Sequence, residues 1–163
     1  MQNESVASVD EASMARMQRR VELINQFKNG ANWFWWIAGL SVVNSVIFWL
    51  NGSWGFVIGL GITQLIDGFA WVLIDQGFVP IRTLIIALAI VLDLLLVILF
   101  VGFGYFARQR LVWAFIIGMA LYICDSFIAL AAQSWLNLGF HTFALFGLYG
   151  GYNALKTLNA LEK

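Results

Sequence analysis

The chain has 163 residues, 61% of them hydrophobic and 11% charged, with a mean hydropathy of +0.83. Soluble domains run at about 45–50% apolar and about 25% charged, so this chain has too little polar surface to clothe a water-facing exterior, and its composition indicates a membrane protein. A formal net charge of zero gives no pull towards nucleic acid, and the single cysteine, Cys124, excludes an internal disulfide or a multi-cysteine metal knuckle.

Eight of the eighteen charges fall within residues 1–28. This polar N-terminal segment (1–30) has no uninterrupted apolar core of a cleaved signal, which leaves targeting to the first span. Ser8 stands three residues before Glu11, a capping-box spacing. Met14, Met17, Val21, Ile24 and Phe27 then recur at three- and four-residue intervals, which predicts an amphipathic helix ended by Asn29-Gly30. Arg16, Arg19, Arg20 and Lys28 on such a helix would meet anionic headgroups if it lies on the bilayer. The plainer alternative is a soluble helix packed on a loop or partner.

Five apolar runs follow, at about residues 33–50, 54–75, 81–106, 111–132 and 135–155, and together make a single bundle over 31–163. Each approaches the roughly 20 residues that cross a hydrocarbon layer of about 30 Å. The breaks at Asn51-Gly52-Ser53, Gln76–Pro80, Ala107–Arg110 and Gln133-Ser134 are short, so consecutive spans are expected to be antiparallel. The fold class is therefore all-α: a polytopic bundle of five transmembrane helices plus an N-terminal amphipathic helix. Alternation of the spans places Trp33, Trp35, Trp36 and Trp135 near one face and Trp49, Trp54 and Trp113 near the other. It also divides the cations five against four, which orients the chain poorly; the clustered N-terminal charges favour a cytoplasmic N-terminus in the cytoplasmic membrane.

Polar residues inside these runs are the strongest lead. An ionisable group at mid-membrane costs about 2.5–3.5 kcal/mol on insertion scales, yet Asp67, Asp93, Asp125 and His141 occupy four different spans, with Asn44 in a fifth. Gln64, Asp67, Trp71 and Asp75 form one helical stripe, and Gly118, Tyr122, Asp125, Ala129 and Gln133 another. The matching "DGF" at Asp67 and "DSF" at Asp125 hint at an internal duplication, with chance as the alternative. Counting helical rise sets Asp67, Asp125 and His141 roughly 9–12 Å from one face and Asp93 roughly 18 Å from it. A shared polar cavity or ion pathway through Asp67, Asp93, Asp125, His141, Asn44 and Gln64 is one reading. The other is interhelical glue worth about 1 kcal/mol per contact.

Gly55 and Gly59, and Gly147 and Gly151, are spaced as GxxxG and predict close helix packing, within the bundle or between copies. No HxxxH or ExxH spacing supports a metal, and no P-loop, nucleophile elbow, dinucleotide glycine motif or zinc-protease motif is present, so no cofactor and no enzymatic activity are expected. A tryptophan-rich chain of this size with five spans resembles the translocator protein family in outline. The proline-flanked aromatic motifs of that family are missing, Pro80 being the only proline, and membership does not follow. The residues leave two functional classes: a membrane-embedded accessory or assembly protein whose partners are the bilayer and a membrane protein or second copy, and a proton- or cation-coupled transporter or channel.

Overall fold

The computed structural model describes residues 2–50 and 59–162, with the side chains of residues 2–10 and Ala12 outside the description. The described residues form an all-helical bundle: α1 (Gln2–Trp49), α2 (Gly61–Asp75), a single 3-10 turn (Val79–Ile81), α3 (Arg82–Arg108), α4 (Val112–Ala131) and α5 (Trp135–Leu161). The expected turn at Asn51-Gly52-Ser53, together with Trp54 and Gly55, lies outside the described residues.

The first correction concerns α1. It runs unbroken for 48 residues, through Ser8 and through Asn29-Gly30, so neither the capping box nor the stop operates. A separate helix lying on a membrane surface would need a break before the first span, and there is none. Gly30 has another use: a Cβ there would run into the backbone of Gly151 on α5. The glycine permits two helix backbones to touch, and an α-helix tolerates it at a cost of about 1 kcal/mol. Of the expected apolar face, Phe27 is buried and Ile24 half-buried, whereas Met14, Met17 and Val21 are exposed on the part of α1 beyond the bundle.

The middle of α1 is the axis of the fold. Three consecutive residues key into glycines of three different helices: Trp33 onto Gly147 of α5, Phe34 onto Gly118 of α4 and Trp35 onto Gly104 of α3. Each aromatic lies where a β-carbon would otherwise be. Around Phe34 the rings of Phe100, Phe103 and Phe115 meet it at centroid distances of 6.2, 5.9 and 6.0 Å. Such pairs add about 0.5–1.5 kcal/mol each beyond area burial.

Contacts fix the direction of each helix. Asn32 meets Arg108, Trp35 meets Val101 and Ser45 meets Asp93, so α1 and α3 are antiparallel. Trp33 with Gly147, Gly30 with Gly151 and Arg20 with Glu162 make α1 and α5 antiparallel. The second correction follows from α2. Ser41 meets Leu60 and Trp49 meets Asp67, so α2 runs parallel to α1, against the expected alternation. Trp49 lies roughly 12 Å of helical rise beyond Ser41. The start of α2 therefore lies about that distance back from the end of α1, and α2 runs over it in the same direction as α1.

One end of the bundle holds residues 108–111, the arm of α1 and the end of α5; the other holds Trp49, Pro80 and Ser134. Trp113 sits at the first end, beside Phe103 and Phe106, with Trp33, Trp35 and Trp36, while Trp135 lies at the second. Alternation had assigned both to the wrong ends. The cations redistribute likewise. Arg16, Arg19, Arg20, Lys28, Arg108, Arg110 and Lys156 lie at the Arg110 end, leaving only Arg82, of the eight described Lys and Arg residues, at the Pro80 end.

The helices Ser13–Trp49, Val79–Arg108 and Val112–Ala131 are long and apolar enough to cross a membrane. Much of their apolar surface faces outward: Leu84, Leu88 and Ile98 of α3 are each more than half exposed. An outward apolar face of this extent is the opposite of a water-soluble arrangement.

Candidate functional site

The buried polar residues fall into two clusters. The first is centred on Asp125 of α4. Its Oδ2 accepts hydrogen bonds from the backbone N–H of Gly61 (2.7 Å), and Oδ1 accepts from that of Ile62 (2.8 Å). These are the opening residues of α2, whose first amides have no intrahelical partner. Leu60, at the N-cap, supplies no side-chain cap. Asp125 therefore caps α2 from another helix, with its carboxyl oxygens at the positive end of the helix dipole. Just before it, the Leu60 N–H donates to Ser41 Oγ (2.7 Å), and the Ser41 hydroxyl donates to the Ile37 carbonyl (2.8 Å). The Thr63 hydroxyl donates to the Leu60 carbonyl (2.8 Å).

His141 of α5 completes this cluster. Its Nδ1 lies 2.9 Å from the Asn137 carbonyl and its Nε2 2.9 Å from Asp125 Oδ2. A carbonyl only accepts, so Nδ1 carries a hydrogen. The Nε2 contact then needs one further proton, shared between imidazole and carboxyl. Tyr122 stacks on the imidazole, with centroids 4.5 Å apart and planes at 14°. Both rings are fully buried, and Tyr122 Oη has no hydrogen-bond partner among the described residues.

The second cluster joins α1, α2 and α3. The Trp49 indole N–H donates to Asp67 Oδ1 (2.7 Å), and the Ser45 hydroxyl donates to Asp93 Oδ2 (2.9 Å). The carboxyl groups of Asp67 and Asp93 are neighbours close enough to interact directly. Asp93 Oδ1 is buried without a donor, and among the described residues no Lys, Arg or His is paired with either acid. Beside Asp93 a cavity of about 330 Å³ opens between α1 and α3. Val42, Val46, Ile86, Ile90, Leu94 and Val97 wall it, and Ser41, Ser45, Trp49, Leu50 and Asp93 complete the lining.

The four ionisable residues thus form two pairs, Asp125 with His141 and Asp67 with Asp93. Asn44 is buried beside Gly59, whose φ of +154° and contact with Ser41 leave no room for a side chain. Gly59 precedes α2 and so packs as a turn glycine, outside any helical GxxxG face. Gln64 is exposed: the buried stripe of α2 is Thr63, Asp67 and Ala70, one position round from the expected face. No group of three or more His, Cys, Asp and Glu that could hold a metal occurs among the described residues.

Ser41, Ser45 and Trp49 were missed as site residues. They recur every four positions on α1, but serines in apolar helices are common, and Trp49 sits where a headgroup-level tryptophan is ordinary. No known protein family, curated protein or solved structure matches the chain, and the reading rests on its own residues.

Proposed function

We propose that the chain is a non-enzymatic accessory or assembly protein of the cytoplasmic membrane, embedded by four crossings rather than five. In this reading α1, α3, α4 and α5 cross, and α2 enters from the Pro80 end and leaves by it. Helix α5 carries more polar residues than the other three, but contacts with α1 hold it from Gly147 to Glu162. Irregular backbone before α2 is tolerable within a membrane only where protein covers it, and Ser41 and Asp125 supply that cover. Seven described cations against one favour a cytoplasmic Arg110 end, with both termini inside.

The observation that carries the accessory role is the commitment of Asp125. Both its oxygens are bound to backbone or imidazole, so the most deeply shared acid of the bundle holds α2 in place. Flux assays on purified protein in liposomes test this. No proton or alkali-cation flux is expected, and Asp125→Asn is expected to lower the melting temperature. A pH-gradient-driven flux lost in Asp93→Asn with the fold intact would replace this reading by the second, a proton- or cation-coupled transporter. What favours that second reading is the Asp67–Asp93 pair, with which no Lys, Arg or His is paired among the described residues.

A further inference from the structure

One face of α1 is covered by α3 along part of its length and bare beyond it. The Trp35 indole donates to the Val101 carbonyl and packs on Gly104, and Arg108 donates to Asn32 Oδ1 (2.7 Å), so α3 lies on this face as far out as Asn32. There α3 ends, at Arg108, and the chain turns into α4. The face itself continues. Trp35, Lys28, Val21 and Met14 are spaced by seven residues, which makes one row along a helix, and Met17 lies beside that row. Met14, Met17 and Val21 are 56%, 68% and 56% exposed. A position on the axis of α3, just past its end, is thus vacant among the described residues.

Height and charge decide what fits there. Helix α3 has 27 residues, a length of about 40 Å, and so occupies nearly the whole bilayer with its headgroups, about 40–45 Å. Val21 and Met14 lie roughly 16 and 27 Å of helical rise beyond Asn32, past the headgroup layer, so lipid does not cover them. A second copy in the same bilayer does not either. Its arm continues into its own crossing, and a straight α1 seated above α3 would have to pass through α3. An extramembrane segment of another protein remains, and flexible methionines adapt readily to a partner's side chains. The base of the vacancy is cationic. Lys28 stands on the row and Arg108 closes it, and neither is paired with an acid among the described residues; Glu162 is taken by Arg20 and Arg110. Glu22 points about 100° away from Val21 round the helix.

We propose that this vacant face docks an amphipathic helix from a water-exposed part of a partner protein, its apolar side on Met14, Met17 and Val21 and its carboxylates on Lys28 and Arg108. The proposal rests on the membrane-embedded accessory reading and gives its partner a chemistry.

The test uses the full chain in nanodiscs of zwitterionic lipid. The probe is a peptide of about 18 residues, stapled because short isolated helices are marginal in water, with leucines on one face and glutamates on the other. A second peptide carries lysines in place of the glutamates. Fluorescence anisotropy, corrected for empty discs, is expected to show saturable binding of the acidic peptide, one per chain. It should be at least about tenfold tighter than that of the lysine peptide, because charge complementarity selects the partner. Met17→Glu and Lys28→Glu, both at exposed positions outside the core, are each expected to weaken it at least about tenfold. No binding to inserted wild type, equal binding of the two peptides, or undiminished binding by either variant would overturn the proposal. So would a wild-type dimer that is lost in Met17→Glu, which would make a second copy the occupant. Failure to insert into nanodiscs, or cation flux in liposomes, would instead sink the membrane-embedded accessory reading, so the two failures are told apart.

Discussion

Asp125 and His141 meet at 2.9 Å across α4 and α5, and the same carboxylate closes the first turn of α2 through Gly61 and Ile62. Three helices are thereby tied at one point, and the tie defines where α2 begins. Removing one member of such a buried pair strands the others, at about 3–5 kcal/mol. Asp125→Ala is expected to destabilise the protein by about that amount, read from thermal unfolding in detergent. His141→Ala alone should cost less, since Asp125 keeps its two amide donors. Equal stability of Asp125→Ala and wild type would show that α2 is held by something else.

The glycines divide sharply by surroundings. Gly151 faces Gly30 and Gly147 faces Trp33, whereas a methyl group on Gly139 or Gly150 of the same helix would meet nothing within 4 Å. Gly147→Ala and Gly151→Ala should each lose about 1–3 kcal/mol through overpacking. Gly139→Ala and Gly150→Ala should be neutral or gain up to about 1 kcal/mol from helix propensity. Melting temperatures of the four variants check this, and a loss of similar size in all four would contradict it.

Glu162 bridges Arg20 at 2.7 Å and Arg110 at 2.8 Å, yet the three side chains are about a third or more exposed. Solvent screens such contacts, so Glu162→Gln should cost less than about 1 kcal/mol, and less still in high salt. A larger loss, independent of ionic strength, would mark this end as more enclosed than it is here.

Trp49 donates one hydrogen bond to Asp67 at 2.7 Å. Trp49→Phe keeps an aromatic ring and deletes the donor, which should cost about 1–3 kcal/mol because a buried acceptor is left short. The comparison with Trp71→Phe, whose indole has an exposed flank, provides the control. Equal melting temperatures for the two variants would show the bond to be unimportant.

Helix starts in the second half follow closely from hydropathy and turn residues: α3, α4 and α5 start within one residue of the expected positions, although α5 runs on to Leu161, past the expected end at about 155. The first half was less legible, for specific reasons. Asn29-Gly30 has the local signature of a helix end, but Gly30 is spent on contact with Gly151, which lies 121 positions along the chain. The start of α2 is set by a carboxylate 64 positions away from Gly61, so no local cap announces it. With the direction of α2 reversed, every end assignment after it changes, and with it the positions of Trp113, Trp135 and the cations. The common depth of Asp125 and His141 could be counted from the turn between their own helices. The pairing of Asp67 with Asp93 could not, because it depends on where α2 starts.

The direction of α2 also decides on which side the termini lie. Five alternating crossings put them on opposite sides of the membrane; four crossings with α2 returning put them on the same side. Single cysteines placed in a Cys124→Ser background at Met17, Leu161 and Phe78, all exposed, report this directly through a membrane-impermeant maleimide applied to intact cells. The proposed four-crossing arrangement with a cytoplasmic Arg110 end predicts labelling at Phe78 alone, with Met17 and Leu161 reacting only after the membrane is opened. Labelling of Met17 and Leu161 from opposite sides would contradict it.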